Sequence, residues 1–178
     1  MKNTIKIKWS IVFILFITIA STKAQEHGIV QFYLDPKMMI EGPYKNSKSG
    51  ELDFLMKIGS STNTYEMGFF VEKFKAIKYT SAGMYYNKKI NVKKLMPSLD
   101  KFEFSVGFDS GFIHRFINKD KNYSITAALN AETKYFLKKN FGVSLKSNYR
   151  YRGDLVEFYG TKNPMLFSGY AGLFFIIY

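Results

Sequence analysis

The sequence predicts an all-β protein: an eight-stranded antiparallel up-and-down barrel that crosses a membrane. Three observations carry this. Apolar and polar residues alternate along most of the chain, the period of a strand whose two faces meet different surroundings. The stretches between the alternating segments are short and rich in Gly, Asn, Lys and Ser, which favours antiparallel neighbours over parallel crossovers. Aromatic residues make up 18% of the chain, and they gather near the ends of the apolar faces, where girdles at two membrane interfaces would lie.

Residues 1–24 come first and are read as an address. Met1–Lys8 carries Lys2, Lys6 and Lys8 without an acid, Ile11–Ala20 is apolar apart from Thr18, and Ser21-Thr22-Lys23-Ala24 offers small residues for cleavage before Gln25. Charged start, apolar stretch and small-residue exit form a secretory signal peptide. A spanning helix needs about 20 apolar residues, and this run is half as long. The leader's four lysines account for a third of the formal +12. Residues 25–178 are then the barrel domain.

The clearest strand is Phe102–Phe112, with Phe102, Phe104, Val106, Phe108 and Phe112 on one face and Glu103, Ser105, Gly107, Asp109 and Gly111 on the other. Tyr123–Tyr135 sets Tyr123, Ile125, Leu129 and Tyr135 against Ser124, Asn130, Glu132 and Lys134. Phe141–Tyr151 sets Phe141, Val143, Leu145 and Tyr149 against Ser144, Lys146, Asn148 and Arg150. Leu52–Ile58 and Tyr65–Val71 follow suit, with Asp53, Lys57, Glu66 and Gly68 on their polar faces. Three segments are weaker. Ile29–Ile40 contains Pro36, which a ladder accepts only at an edge or bulge. Tyr79–Asn87 is short and mixed. Leu166–Tyr178 is apolar on both faces, so its facing cannot be read.

Eight such strands close into a barrel, which removes the sheet edges. The polar faces mix glycine with both signs of charge, and the lumen of an eight-stranded barrel is only wide enough for side chains to fill it. Asp53, Lys57, Glu66, Glu103, Asp109, Glu132, Lys146 and Arg150 are therefore the candidate lumenal charge network. The alternative is the reverse facing, a secreted lipocalin-like carrier whose aromatics line an apolar cavity.

The mature chain resembles the small outer-membrane β-barrels of Gram-negative bacteria, those of the OmpX, OmpW and OmpA-barrel families. The most specific element is the closing strand, Gly169-Tyr170-Ala171-Gly172-Leu173-Phe174-Phe175-Ile176-Ile177-Tyr178. It looks like the family's assembly signal, read by the barrel-insertion machinery, with Gly172, Phe174, Ile176 and Tyr178 as its marks. The family pattern has glycine five residues before the terminal aromatic, where this chain has Leu173. The Ala24-Gln25 exit and the Lys, Ile and Asn bias resemble flavobacterial outer-membrane proteins. The resemblance implies a monomer in the outer membrane, in contact with lipid and lipopolysaccharide, with both termini periplasmic. The outward loops are then Glu41–Gly50, Glu72–Lys78, His114–Asn122 and Gly153–Pro164. The inward turns are Ser60–Asn63, Lys88–Asp100 and Leu137–Asn140, and Lys88–Asp100 is long for a periplasmic turn.

The chemistry is sparse. There is no cysteine and there are only two histidines, His27 and His114, so thiol catalysis and Cys-based metal sites are excluded, and no motif implies a cofactor. The basic residues fall on two rims rather than one stripe, which argues against nucleic acid and for lipid phosphates. Lys45, Lys48, Lys73, Lys75, Arg115 and Lys119 are the candidate phosphate contacts of the outer rim. Some barrels of this size resemble one another in modifying lipid A. The deacylase type carries His-x-Ser, whereas His114 is followed by Arg115 and Phe116. Asp109-Ser110 could serve an acyltransferase only with His114 in reach. The simpler expectation is that Asp109 pairs with a lumenal base, Ser110 faces outward and His114 sits in solvent. Arg152-Gly153-Asp154 spells an integrin-type tripeptide and is read as a strand ending in a turn. The function expected is structural, adhesive or envelope-protective, neither enzymatic nor that of a general porin.

Overall fold

The computed structural model describes residues 27–41, 52–75, 78–91, 97–117, 120–160 and 162–178. The expected leader and Lys45, Lys48 and Lys119 lie outside them. Eight strands run in sequence order: β1 (His27–Leu34), β2 (Asp53–Ser61), β3 (Tyr65–Phe74), β4 (Tyr79–Ile90), β5 (Phe102–Ile117), β6 (Asp120–Lys138), β7 (Phe141–Arg152) and β8 (Met165–Ile177). Each pairs antiparallel with the next, and β1 pairs with β8 from Gly28↔Ile177 to Leu34↔Ala171, so the barrel is closed. His27 and Ile177 mark one mouth, called here the near end. The opposite mouth is the far end.

Strands run on into two expected loops, β3 to Phe74 and, in place of the loop His114–Asn122, β5 to Ile117 and β6 from Asp120, and two segments turn into helix. The first strand stops at Leu34 instead of continuing to Ile40, and a short helix α1 (Pro36–Glu41) follows. Proline lacks an N–H for the ladder but is pre-set for the first helical position. Asp35 completes the switch, accepting the Lys37 N–H at 2.9 Å as a helix cap. The second is the stretch Gly153–Pro164, expected as loop, which opens with helix α2 (Gly153–Tyr159). Gly160 ends it in the left-handed region (φ 61°), donating its N–H to the carbonyl of Val156, a conformation in which glycine avoids a Cβ clash. The connection between β4 and β5 remains long, from Asn91 to Lys101, with a 3-10 turn at Pro97–Leu99.

Strand length is uneven. β1 has 8 residues and β2 has 9, whereas β5 has 16 and β6 has 19. A tilted strand needs about 9–11 residues to cross a bilayer core, so the β5–β6 hairpin rises beyond that length at the far end.

The alternation resolves into one facing throughout. Outward residues include Val106, Phe108, Phe112, Ile125, Leu129, Leu145, Tyr149 and Phe167, all exposed, with Leu129 at 69%. Large apolar side chains exposed on strand after strand are what a bilayer accommodates and water does not. Rings cluster near the near end, with Tyr65 stacked on Tyr86 (5.9 Å), Phe102 tilted against Tyr135 (5.0 Å) and Phe141 tilted against Phe175 (5.0 Å). β8, unreadable in sequence, turns Ser168, Tyr170 and Phe174 inward and Phe167, Leu173 and Phe175 outward. Its inward side is apolar because rings, not charges, fill that part of the lumen.

Candidate functional site: a charged lumen and two rims

Period two drives alternate side chains of every strand into the lumen, which in an eight-stranded barrel is just wide enough for side chains to fill, so each buried polar group there needs a partner. Among the described residues the buried acids are Asp35, Asp53, Glu66, Glu72, Asp109, Glu132 and Asp154, and the buried bases are Lys57, Arg115, Lys134, Lys146, Arg150 and Arg152. This near balance is what makes the burial tolerable, since an uncompensated buried charge costs several kcal/mol.

The waist is organised on Glu132. Its carboxylate accepts from Tyr33 Oη (2.6 Å), Gln31 Nε2 (2.9 Å), Asn87 Nδ2 (3.1 Å) and Ser144 Oγ (3.2 Å), with Lys57 Nζ at 3.5 Å and Lys134 Nζ at 3.4 Å. Lys57 also lies over the Tyr85 ring, 3.8 Å from its centre. Asp109 takes Lys146 Nζ at 2.7 Å and Asn130 Nδ2 at 3.0 Å. Tyr33, Leu55, Phe70, Tyr85 and Tyr170 form a buried cluster across the same level. Towards the near end Lys134 pairs with Glu66, and Lys89 bridges Glu103 (2.8 Å) and Glu66 (3.5 Å).

Towards the far end the organiser is Glu72. It pairs with Arg150 and accepts from Tyr170 Oη (2.7 Å), Tyr79 Oη (3.0 Å) and Ser81 Oγ (3.0 Å). Helix α2 covers this mouth, and Asp154 in its first turn is the tie. Arg152 approaches with Nε and a terminal nitrogen, both at 2.7 Å, and Arg115 adds a third contact at 2.6 Å. Burial alone would raise the Asp154 carboxyl, but Arg152 and Arg115 outweigh it and hold it below the usual aspartate range.

Of the residues read as lumenal, Lys57, Glu66, Glu103, Asp109, Glu132, Lys146 and Arg150 lie in ion pairs. Asp53 is buried at the far end of β2 and lies in the field of Glu72 and Arg150. Sequence reasoning missed Glu72, which it assigned to a loop, and also Asp154 and Arg152. The signal for Glu72 was present, since Phe70, Glu72 and Phe74 continue the inward parity of β3.

Arg115 is a correction. It is 2% exposed and bound to Asp154, so it faces the lumen and not the lipid phosphates. Lys73 and Lys75 are exposed at the far rim, as phosphate contacts require. His114 is a second correction: its ring lies 5.0 Å from that of Tyr123 on the outer face, not free in solvent. Asp109 points into the lumen, so the two cannot form an acid–base pair. Ser110 is outward and exposed as expected. The tripeptide Arg152-Gly153-Asp154 is buried and closed on itself, so it displays nothing to a receptor. In the closing strand Gly172 leaves room for the Tyr33 ring, Phe174 is buried beside Phe136 (4.9 Å), and Ile176 follows at the near mouth. Tyr178 is exposed, with its ring 4.3 Å from His27.

An apolar wall around a charge-paired interior is the inverse of a lipocalin, whose cavity is apolar, and that alternative is excluded by the buried acids and bases above. The fold and the site together define a β-barrel built for a bilayer. No family model and no curated protein matches the chain. Among solved structures it is similar to the Yersinia pestis outer membrane protein Ail in a phospholipid bilayer nanodisc, at 11% identity and a TM-score of 0.49, covering 85% of this chain and 99% of that one. It is also similar to Neisserial surface protein A, at 11% identity and a TM-score of 0.47, covering 85% and 94%.

Proposed function

We propose that the protein is a monomeric barrel of the bacterial outer membrane, exported by residues 1–24, that serves the envelope through its far-end surface rather than through its lumen. The observation that carries this is the inverted polarity: exposed apolar walls around a lumen of paired charges. That wall has no place in water, and the lumen, crossed by ion pairs and buried rings, suits a structural plug better than a general pore. Among the described residues the β5–β6 hairpin reaches furthest at the far end, which suits an adhesive or protective role at the cell surface. Lipid and lipopolysaccharide are the expected surroundings. The closing strand, with its ring-rich lumenal face and Tyr178, is the expected signal for the barrel-insertion machinery.

Fractionation with heat-modifiable gel mobility tests location and closure together, with recovery of an unheated fast-migrating species in the outer membrane expected. A charge at the midplane of the wall costs about 2–4 kcal/mol. Leu129→Lys, on the wall between Phe108 and Tyr149, should therefore impair insertion, while Ser105→Lys, directed into the lumen beside Glu132, should be better tolerated. Recovery of the chain as a detergent-free soluble protein, or equal tolerance of both substitutions, overturns the membrane reading.

A further inference from the structure

The long connection between β4 and β5 borders a cleft of about 760 Å³ at the near end, and its lining is amphipathic. Lys88, Lys101 and Lys138 line it, all exposed, and none of the three is in an ion pair with a carboxylate of the described residues. Lys89, also there, is committed to Glu103 and Glu66. Beside the lysines lie Phe102, Ile90 and Leu137, with Ile90 at 45% and Leu137 at 53% exposed. All three belong to the outward, wall-side parity of their strands, and the Phe102–Tyr135 pair places them at the level of the near-end ring cluster. Ile90 also begins a shallow trough of about 670 Å³ on the outer wall that passes Phe104 and Ala131. Five lysines, Lys139 included, face two carboxylates in the cleft, Asp100 and the paired Glu103, and this net positive cleft is joined, through one shared residue, to an apolar groove on the lipid side.

We propose that this junction is a binding site for one anionic glycerophospholipid of the near leaflet, its phosphate held by Lys88, Lys101 and Lys138 and one acyl chain laid along Ile90 into the trough. A soluble anion would use the lysines but gain nothing from the apolar shelf, and a neutral lipid would use the shelf but not the net positive charge. The lipid with both parts matches both features. The inference rests on the membrane reading above.

The test uses the full mature chain folded in detergent micelles, offered equal amounts of phosphatidylglycerol and phosphatidylethanolamine and examined by native mass spectrometry. The expected result is preferential retention of phosphatidylglycerol by about fivefold or more, the worth of at least one lysine near an anionic surface. The triple variant Lys88→Gln/Lys101→Gln/Lys138→Gln loses that preference. Lys73→Gln/Lys75→Gln at the far rim keeps it, and Leu137→Ser weakens retention of both lipids without changing the charge. Heat-modifiable mobility confirms that each variant is a closed barrel. If the triple variant does not close, the three single variants carry the comparison. Equal retention of the two lipids overturns the proposal, as does a preference unchanged in the lysine variants. Displacement of the lipid by inorganic phosphate, or capture of a soluble acidic peptide in its place, also overturns it. A chain that never enters a membrane fails the earlier reading instead, and fractionation separates that outcome from these.

Discussion

The two ends of the lumen solve the same problem with different bases. At the far end the described ion pairs use arginine: Arg150 on Glu72, and Arg152 and Arg115 on Asp154. From the waist to the near end they use lysine: Lys57 and Lys134 at Glu132, Lys146 at Asp109, Lys89 at Glu103. A guanidinium is a planar fork that can take both oxygens of one carboxylate, whereas an ammonium is a point charge on a flexible stem. At Asp154 the fork is used: Arg152 takes both carboxylate oxygens and Arg115 adds one directed contact, which hold helix α2 in one place. At the waist Glu132 gathers many partners instead, and it is satisfied only because Tyr33, Gln31, Asn87 and Ser144 add their hydrogens to the two lysines. The arginine end specifies a position, and the lysine end neutralises a volume.

The largest effect is expected where the most partners would be orphaned. Glu132→Ala leaves Lys57 and Lys134 short of a counter-charge in a dry waist and should destabilise the barrel by about 3–5 kcal/mol. Urea unfolding in lipid vesicles measures it. Equal stability of this variant and the parent would show that the waist is hydrated and the network dispensable. A smaller effect is expected at the far end from a swap that keeps the charge. Arg152→Lys removes the fork, forfeiting one charge-assisted hydrogen bond to Asp154 at about 1.5–3 kcal/mol. That loss should appear as faster hydrogen exchange confined to Leu155–Tyr159, with the strands unchanged. The mirror substitution Lys89→Arg at the near mouth should move nothing in either readout, and if it did, the contrast between the ends would be lost.

The same division marks what could be read from sequence. Strand facing was legible wherever the lumenal residues were charged, as along β5, β6 and β7, because polarity then differs between the faces. It failed in β8, where Tyr170 and Phe174 point inward and Phe167 and Phe175 outward: two apolar environments leave no alternation to read. β1 was read too far because the apolar composition continues past Pro36, although the direction of the chain changes there. Arg115 looked like a rim base because its partner Asp154 lies 39 residues away on a helix with no sequence mark of its own. Pairings of that kind depend on closure of the barrel, which local pattern does not contain.

Acid offers the finest separation of the two ends, because Asp154 lies on α2, outside the strands, and its carboxyl is held below the usual aspartate range by Arg152 and Arg115 against the opposing effect of burial. A depressed folded value means that the tie contributes in full above the unfolded value, about 3.9, and is lost only as the pH falls through the lower folded one. Helix α2 should therefore keep its hydrogen-exchange protection unchanged from pH 8 to 5 and lose it below about pH 4. Asp154→Asn should be unprotected across the whole range, since a neutral amide cannot hold two guanidinium groups. Release of α2 near pH 6 in the parent chain would mean that another group governs the lid. Persistence of its protection in the Asn variant would mean that the helix is held by packing against β5 and β6 rather than by charge.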